Sequence, residues 1–197
     1  MTEGEFRGRK NAAIASCSYN REDMVKSCLS DICDKCKGTC CKKYPCMLSP
    51  RELIMDDIDY LKNVLDTGVL TLTVTQTQNK ILYIRARGVN DPRTIYSEEA
   101  ITPNSCILIG KKGCILDPLY IPTDGLLLIP ETKFGITKCV SHYPEFKKFE
   151  DWQKHQEILR ELAEIYKNIE IDKPKADENT SYTYKLALLG NCKKETN

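Results

Sequence analysis

With 197 residues, 29 Lys and Arg against 28 Asp and Glu, and a net charge of +1, the chain has no basic excess for nucleic acid and no one-sided charge for a membrane surface. Its 41% hydrophobic and 29% charged residues fit one ordinary globular domain, and no apolar run nears the ~20 residues that span a bilayer. Eleven cysteines stand out: an odd count, in a chain whose charged N-terminus lacks a secretory signal, predicts reduced thiols in the cytoplasm rather than a disulfide framework.

In chain order, residues 1–15 read as a flexible arm. Met24, Val25, Cys28, Leu29 and Ile32 recur at helical spacing, so a short helix is expected over about 18–32. A second helix is expected from Ser49, with Ser49 as N-cap, Pro50 in the first turn and Glu52 completing a capping box. Its apolar stripe is Leu53, Ile54, Ile58, Leu61 and Leu65, and Gly68 closes it. The period then changes. Val69, Leu70, Leu72 and Val74 interleave with threonines, and Ile81 to Arg87 answers them across Gln78-Asn79-Lys80, which predicts a strand pair.

Residues 90–105 read as a polar, proline-containing loop. The apolar run Cys106-Ile107-Leu108-Ile109 meets the turn Gly110-Lys111-Lys112-Gly113 and resumes at Cys114. A regular hairpin there pairs Ile109 with Cys114 and sends Cys106 and Cys114 to opposite faces. If both serve one site, irregular backbone is required over 110–114, with φ > 0 at one glycine. The stretch 117–135 reads as a wandering loop with a short buried strand. A long helix is expected over 149–169, with Trp152, Ile158, Leu159, Leu162, Ile165 and Tyr166 on its apolar face. Residues 171–197 read as a polar linker and tail, with 182–189 adding a strand or an amphipathic end. The expected fold is α+β: a small single domain over 16–170 with a metal-thiolate centre, a short antiparallel β-hairpin and several helices, the long one C-terminal.

The chemistry concentrates in Cys33-Asp-Lys-Cys36-Lys-Gly-Thr-Cys40-Cys41, with Cys46 close behind. Disulfides demand a narrow range of Cα separation and side-chain direction, which four thiols in so short a peptide meet poorly. A metal accepts thiolates converging from a tight turn at roughly 2.3 Å each for zinc. Gly38 allows the backbone to turn its amides towards the sulfurs. Adjacent Cys40 and Cys41 diverge, so the set serves two ions or leaves one thiol in the core.

This motif, followed by Cys106 before apolar residues, Cys114 after a glycine turn, and Cys139-Val-Ser-His-Tyr143-Pro144, resembles the YkgJ-like family of zinc- or iron-chelating cysteine-cluster proteins, over residues 33–144. The resemblance implies metal binding by about eight cysteines: Cys33, Cys36, Cys40, Cys41, Cys46, Cys106, Cys114 and Cys139. Cys17, Cys28 and Cys192 fit no motif, and His142 reads as solvent-facing or as an outer neighbour of the site. An all-thiolate set suits Zn2+ and an iron–sulfur cluster alike, and the absence of an obvious histidine partner tilts the choice towards the cluster. A redox or metal-handling role with an unidentified protein or redox partner follows. The alternatives are a zinc-stabilised interaction module and a protein-modifying enzyme related to flagellin lysine methylases, which carry a similar cysteine cluster. No Ser/His/Asp set, phosphate loop or dinucleotide fingerprint is present, so no catalytic residue is named.

Overall fold

The computed structural model describes residues 1–17, 42–43, 45–99, 104–111, 113–134 and 136–190, the side chains of 130, 132–133, 136–139 and 145–146 excepted. The expected helix over 18–32 therefore lies outside the described residues. The mixed α+β class holds: six α-helices and three small sheets are found among the described residues.

At the centre, β1 (Leu70–Val74) pairs antiparallel with β2 (Leu82–Ala86), from Leu70↔Ala86 to Val74↔Leu82. Lys80, at φ 42°, turns the chain between them. A third strand, β3 (Tyr96–Glu98), forms within the expected loop and pairs parallel with β1, giving the order β2-β1-β3. The cross-strand pairs Leu70–Ala86, Leu72–Ile84 and Val74–Leu82 share one apolar face. The opposite face is polar yet buried: Thr71, Thr73, Arg85 and Ser97 are all under 6% exposed. It tolerates burial because its groups bond one another, Thr73 to Ser97 at 3.1 Å and the Thr71 hydroxyl to the Ile95 carbonyl at 2.5 Å.

Residues 1–15, expected as a flexible arm, instead form α1 (Glu3–Ala15), opened by a Thr2–Glu5 capping box. Its inner face is Phe6, Lys10, Ala13 and Ile14, an i, i+4, i+7, i+8 stripe with a lysine inside it. Lys10 is buried because it donates to Glu52 and to the Ile121 carbonyl. Glu52 in turn accepts from the amides of Ser49 (2.6 Å) and Thr123 (3.1 Å). That inward turn of Glu52 splits the expected second helix. The Ser49–Glu52 capping box forms, but it closes only a 3-10 turn (Pro50–Glu52), and Leu53 leaves extended. The helix proper, α2 (Ile58–Asp66), starts afresh from Asp57.

The stretch expected as a wandering loop contains α3 (Thr123–Leu126) and β6 (Leu128–Lys133), which pairs antiparallel with β7 (Ile136–Ser141). The expected long C-terminal helix is two helices, α4 (Glu145–Gln153) and α5 (Gln156–Tyr166). Gln156 explains the break. Its side chain accepts from the Leu82 amide at 2.9 Å and donates to the Leu82 carbonyl at 2.8 Å, so the chain turns to lay α5 on β2. Trp152 is fully buried and donates to the Leu48 carbonyl at 3.2 Å. The tail is helical as well: α6 (Glu178–Leu188), capped by Asp177, packs against α2 through buried Tyr184, Ala187 and Leu188.

Candidate metal centre

Cys33, Cys36, Cys40 and Cys41 lie outside the described residues, as do Cys28 and Cys192. What the structure places is the ground on either side of the motif. Two residues that follow it, Lys42 and Lys43, are hydrogen-bonded to the two that precede Cys106. The Asn104 amide donates to the Lys43 carbonyl at 2.7 Å, and the Ser105 hydroxyl donates to the Lys42 carbonyl at 3.0 Å. Cys106 follows Ser105 directly, so the junction lies at the start of its segment.

The continuation of β2 holds the rest together. The Ala86 amide donates to the Cys46 carbonyl at 2.9 Å, the Ile107 amide donates to the Arg87 carbonyl at 2.9 Å, and Cys106 bridges to Gly88. Cys46 is buried, with its sulfur against Gly125 of α3. Cys106 is 6% exposed, and its sulfur accepts one long N–H bond, 3.5 Å, from Leu108. Burial pushes the Cys106 thiol up to about 12, and neighbouring Cys114 acts in the same direction.

Cys114 sits where the expected register puts it. Strands β4 (Ile109–Gly110) and β5 (Gly113–Cys114) pair Ile109 with Cys114, and Gly113 has φ 119°. The register over Ile109–Cys114 is regular, so of the irregular backbone that a shared site for Cys106 and Cys114 calls for over 110–114, only the positive φ at Gly113 is found. The irregularity lies one step earlier, in a turn that bonds the Ile109 amide to the Cys106 carbonyl at 3.2 Å. Cys114 is exposed and opens on a cleft of about 920 Å³ beside Glu3, Tyr120 and Lys185. Cys139 is paired with Pro130 in the β6–β7 ladder, and its side chain lies outside the described part. Cys17, buried with Ile14, Leu126, Leu127 and Tyr143, packs in a small apolar cluster. The ring of His142 is 2.8 Å from Glu131 across the hairpin. Among the described residues, no three Cys, His, Asp or Glu side chains are grouped to hold a metal.

Two residues that sequence reasoning missed organise this end. Asp91 takes both guanidinium nitrogens of Arg85, at 2.8 and 2.9 Å, and the Gly88 amide at 2.7 Å. Asn104 donates to Asp91 at 2.8 Å and accepts from the Asn90 amide at 2.9 Å. The side chain of Asn104 also fills the space over Gly88, where an added Cβ would stand 2.1 Å from it, so only glycine admits this approach. Asn90-Asp91-Pro92 announces a turn in the sequence, but nothing there announces a contact with Asn104.

No family model matches the chain, and no curated protein or solved structure matches it at a significant level.

Proposed function

We propose that the chain is a metal-binding cysteine-cluster protein in which Cys33, Cys36, Cys40, Cys41, Cys46, Cys106, Cys114 and Cys139 hold an iron–sulfur cluster or Zn2+. One observation carries the reading: Lys42-Lys43 is bonded directly to Asn104-Ser105, which brings the exit of the local thiol motif to the doorstep of Cys106. The donor set fits such a group. Burial holds Cys106 as a neutral thiol in apolar company, and it becomes a donor by giving up that proton to a metal. An exposed Cys114 beside it leaves one edge of the centre open to the cleft.

A cluster would supply electron transfer or sensing, and zinc a structural cross-link worth roughly 10–16 kcal/mol of folding energy. The near-neutral charge argues against a nucleic-acid partner, and no helix among the described residues is long and apolar enough to cross a membrane. The cysteine usage supports a reducing, cytoplasmic setting with a protein or redox partner. The test is anaerobic purification followed by visible absorption and analysis of iron, labile sulfide and zinc. Brown protein with iron and sulfide makes it a redox protein; colourless protein with stoichiometric zinc makes it an interaction module. Folded protein with neither, and with every thiol titratable, overturns the reading.

A further inference from the structure

The cleft of about 920 Å³ beside the β4–β5 turn has the size of a small-molecule site, and the metal reading leaves most of its wall unused. One side of it is a face of α6. Glu178, Ser181, Tyr182 and Lys185 follow the i, i+3, i+4, i+7 spacing of a single stripe, and all four line the cleft. At 1.5 Å per residue, Lys185 stands about 10 Å along the helix from Glu178. The wall therefore runs from an acid to a base, with two hydroxyls between them. Asp177 joins the acidic end and Arg7 the basic end, while Lys111 and Asp117 add one charge of each sign from other segments.

The basic end is set up for a carboxylate, because one sits there already. Glu3 meets Lys185 at 3.3 Å and Arg7 at 3.4 Å. Lys185 also lies over the Tyr120 ring, 5.2 Å from its centroid. Tyr120 is 4% exposed and stacked on Phe6. Its hydroxyl is near enough to Lys185 and Glu3 for both to act on it, yet it completes a hydrogen bond with neither. A buried hydroxyl left over in the wall of a cleft is a donor in need of an acceptor. The Glu3–Lys185 pair is loose, since both side chains are more than a third exposed and such pairs contribute little. An incoming carboxylate can take the place of Glu3, with Lys185, Arg7 and the Tyr120 hydroxyl as its donors.

We infer that this cleft binds a short peptide with free ends, its α-carboxylate at Lys185, Arg7 and Tyr120 and its α-ammonium at Asp177 and Glu178. The length follows from the wall. An extended chain advances ~3.3–3.6 Å per residue, so three residues span the distance between the two ends. Two carboxylates at the start of α6 outweigh the partial positive charge of a helix N-terminus, which alone would repel an ammonium. Between the ends, Tyr182 of α6 and Ile115 and Leu119 of the other segments offer the middle residue apolar surface. The inference is independent of the metal reading.

The probe is the tripeptide alanyl-leucyl-alanine, titrated calorimetrically into the protein as purified, with any metal it carries. One tripeptide should bind per chain. Acetylating its amine or amidating its carboxylate should each weaken binding ~10-fold, and free leucine, too short to reach both ends, should bind more weakly still. Lys185→Met should lower affinity ~10–100-fold and Tyr120→Phe ~10-fold. Glu3→Gln should raise it up to ~5-fold, because the rival carboxylate is gone. Lys154→Met, on a different groove, should change nothing. Capped and free peptides that bind alike, leucine that binds as well as the tripeptide, or no binding at millimolar concentration overturns the inference. Should Lys185→Met fail to fold, the capped peptides on wild-type protein decide alone. None of these outcomes touches the metal reading, since the tripeptide carries no thiol or imidazole.

Discussion

Of the three antiparallel strand pairs among the described residues, the two longer ones differ, and the longest has the less secure footing. The pair β1–β2 runs over five residue pairs and is buried almost throughout. It packs against α2, α4 and α5. The pair β6–β7 runs over six residue pairs, yet none of its described side chains is buried and Phe134 at its tip is fully exposed. Among the described elements, the one that packs on it is the short α3. A two-stranded hairpin is marginal in water without a face to bury. Ladder hydrogen bonds net little, because the unfolded strands bond to water equally well. Apolar burial therefore holds the first pair, whereas the second needs an anchor. That second pair carries Cys139, so a metal bound there would supply to the hairpin what the core supplies to the sheet.

The largest effect expected is on the sheet side. Asp91→Ala strands the Arg85 guanidinium, which is 6% exposed, and also frees Gly88 and Asn104. Removing one partner of a buried ion pair costs about 3–5 kcal/mol. Chemical denaturation should show that loss equally with and without a chelator, since the pair belongs to the self-sufficient half. A loss confined to the metal-loaded protein would mean that Asp91 serves the centre rather than the sheet.

A smaller effect, confined to the hairpin, is expected from Cys139→Ser. Losing a direct ligand should lower metal affinity by at least the ~10–100-fold typical of an outer partner. Amide hydrogen exchange should then accelerate in β6 and β7 while β1 and β2 keep their protection. Cys192→Ser, outside every motif, should change neither metal content nor exchange. Identical, negligible effects from both would reduce Cys139 to a packing residue and leave the hairpin without its anchor.

How much of this was legible follows from where each contact comes from. The β1–β2 pair announces itself, because alternating leucines and threonines encode a face and the turn between them encodes a register. Helix α1 is hidden by Lys10, which occupies an apolar position and is admitted only through Glu52, far along the chain. Strand β6 is hidden by Pro130, which demotes any strand reading, though an isolated hairpin has an edge where proline is allowed. The α4–α5 break depends on Gln156 reaching Leu82, and the helical stripe runs through it unmarked. At the candidate centre, only the thiol spacing is legible, because a metal would constrain ligands that lie near one another in the chain. Asp91 and Asn104 act through contacts between distant segments, and no local pattern encodes those.

The smallest effect concerns the turn that presents Cys114. Gly113 has φ 119°, a region that side-chain-bearing residues rarely enter, while a Cβ there would meet nothing within 4 Å. Gly113→Ala therefore isolates backbone strain from crowding, and about 1–3 kcal/mol is expected. Gly110 is the opposite case: it has no positive φ, but its Cβ would stand 2.9 Å from the Ile115 Cγ2, so crowding rather than backbone strain sets the cost there. If β4–β5 exists to hold Cys114 at the open edge of a metal centre, Gly113→Ala should cost more in the loaded protein than in the stripped one. The alanine shifts the residue next to a ligand, and the metal resists that shift. Parallel denaturation curves on both forms measure the difference. Equal costs in the two forms would place the β4–β5 turn with the sheet, as a piece of fold that stands without the metal, and would remove Cys114 from the ligand set.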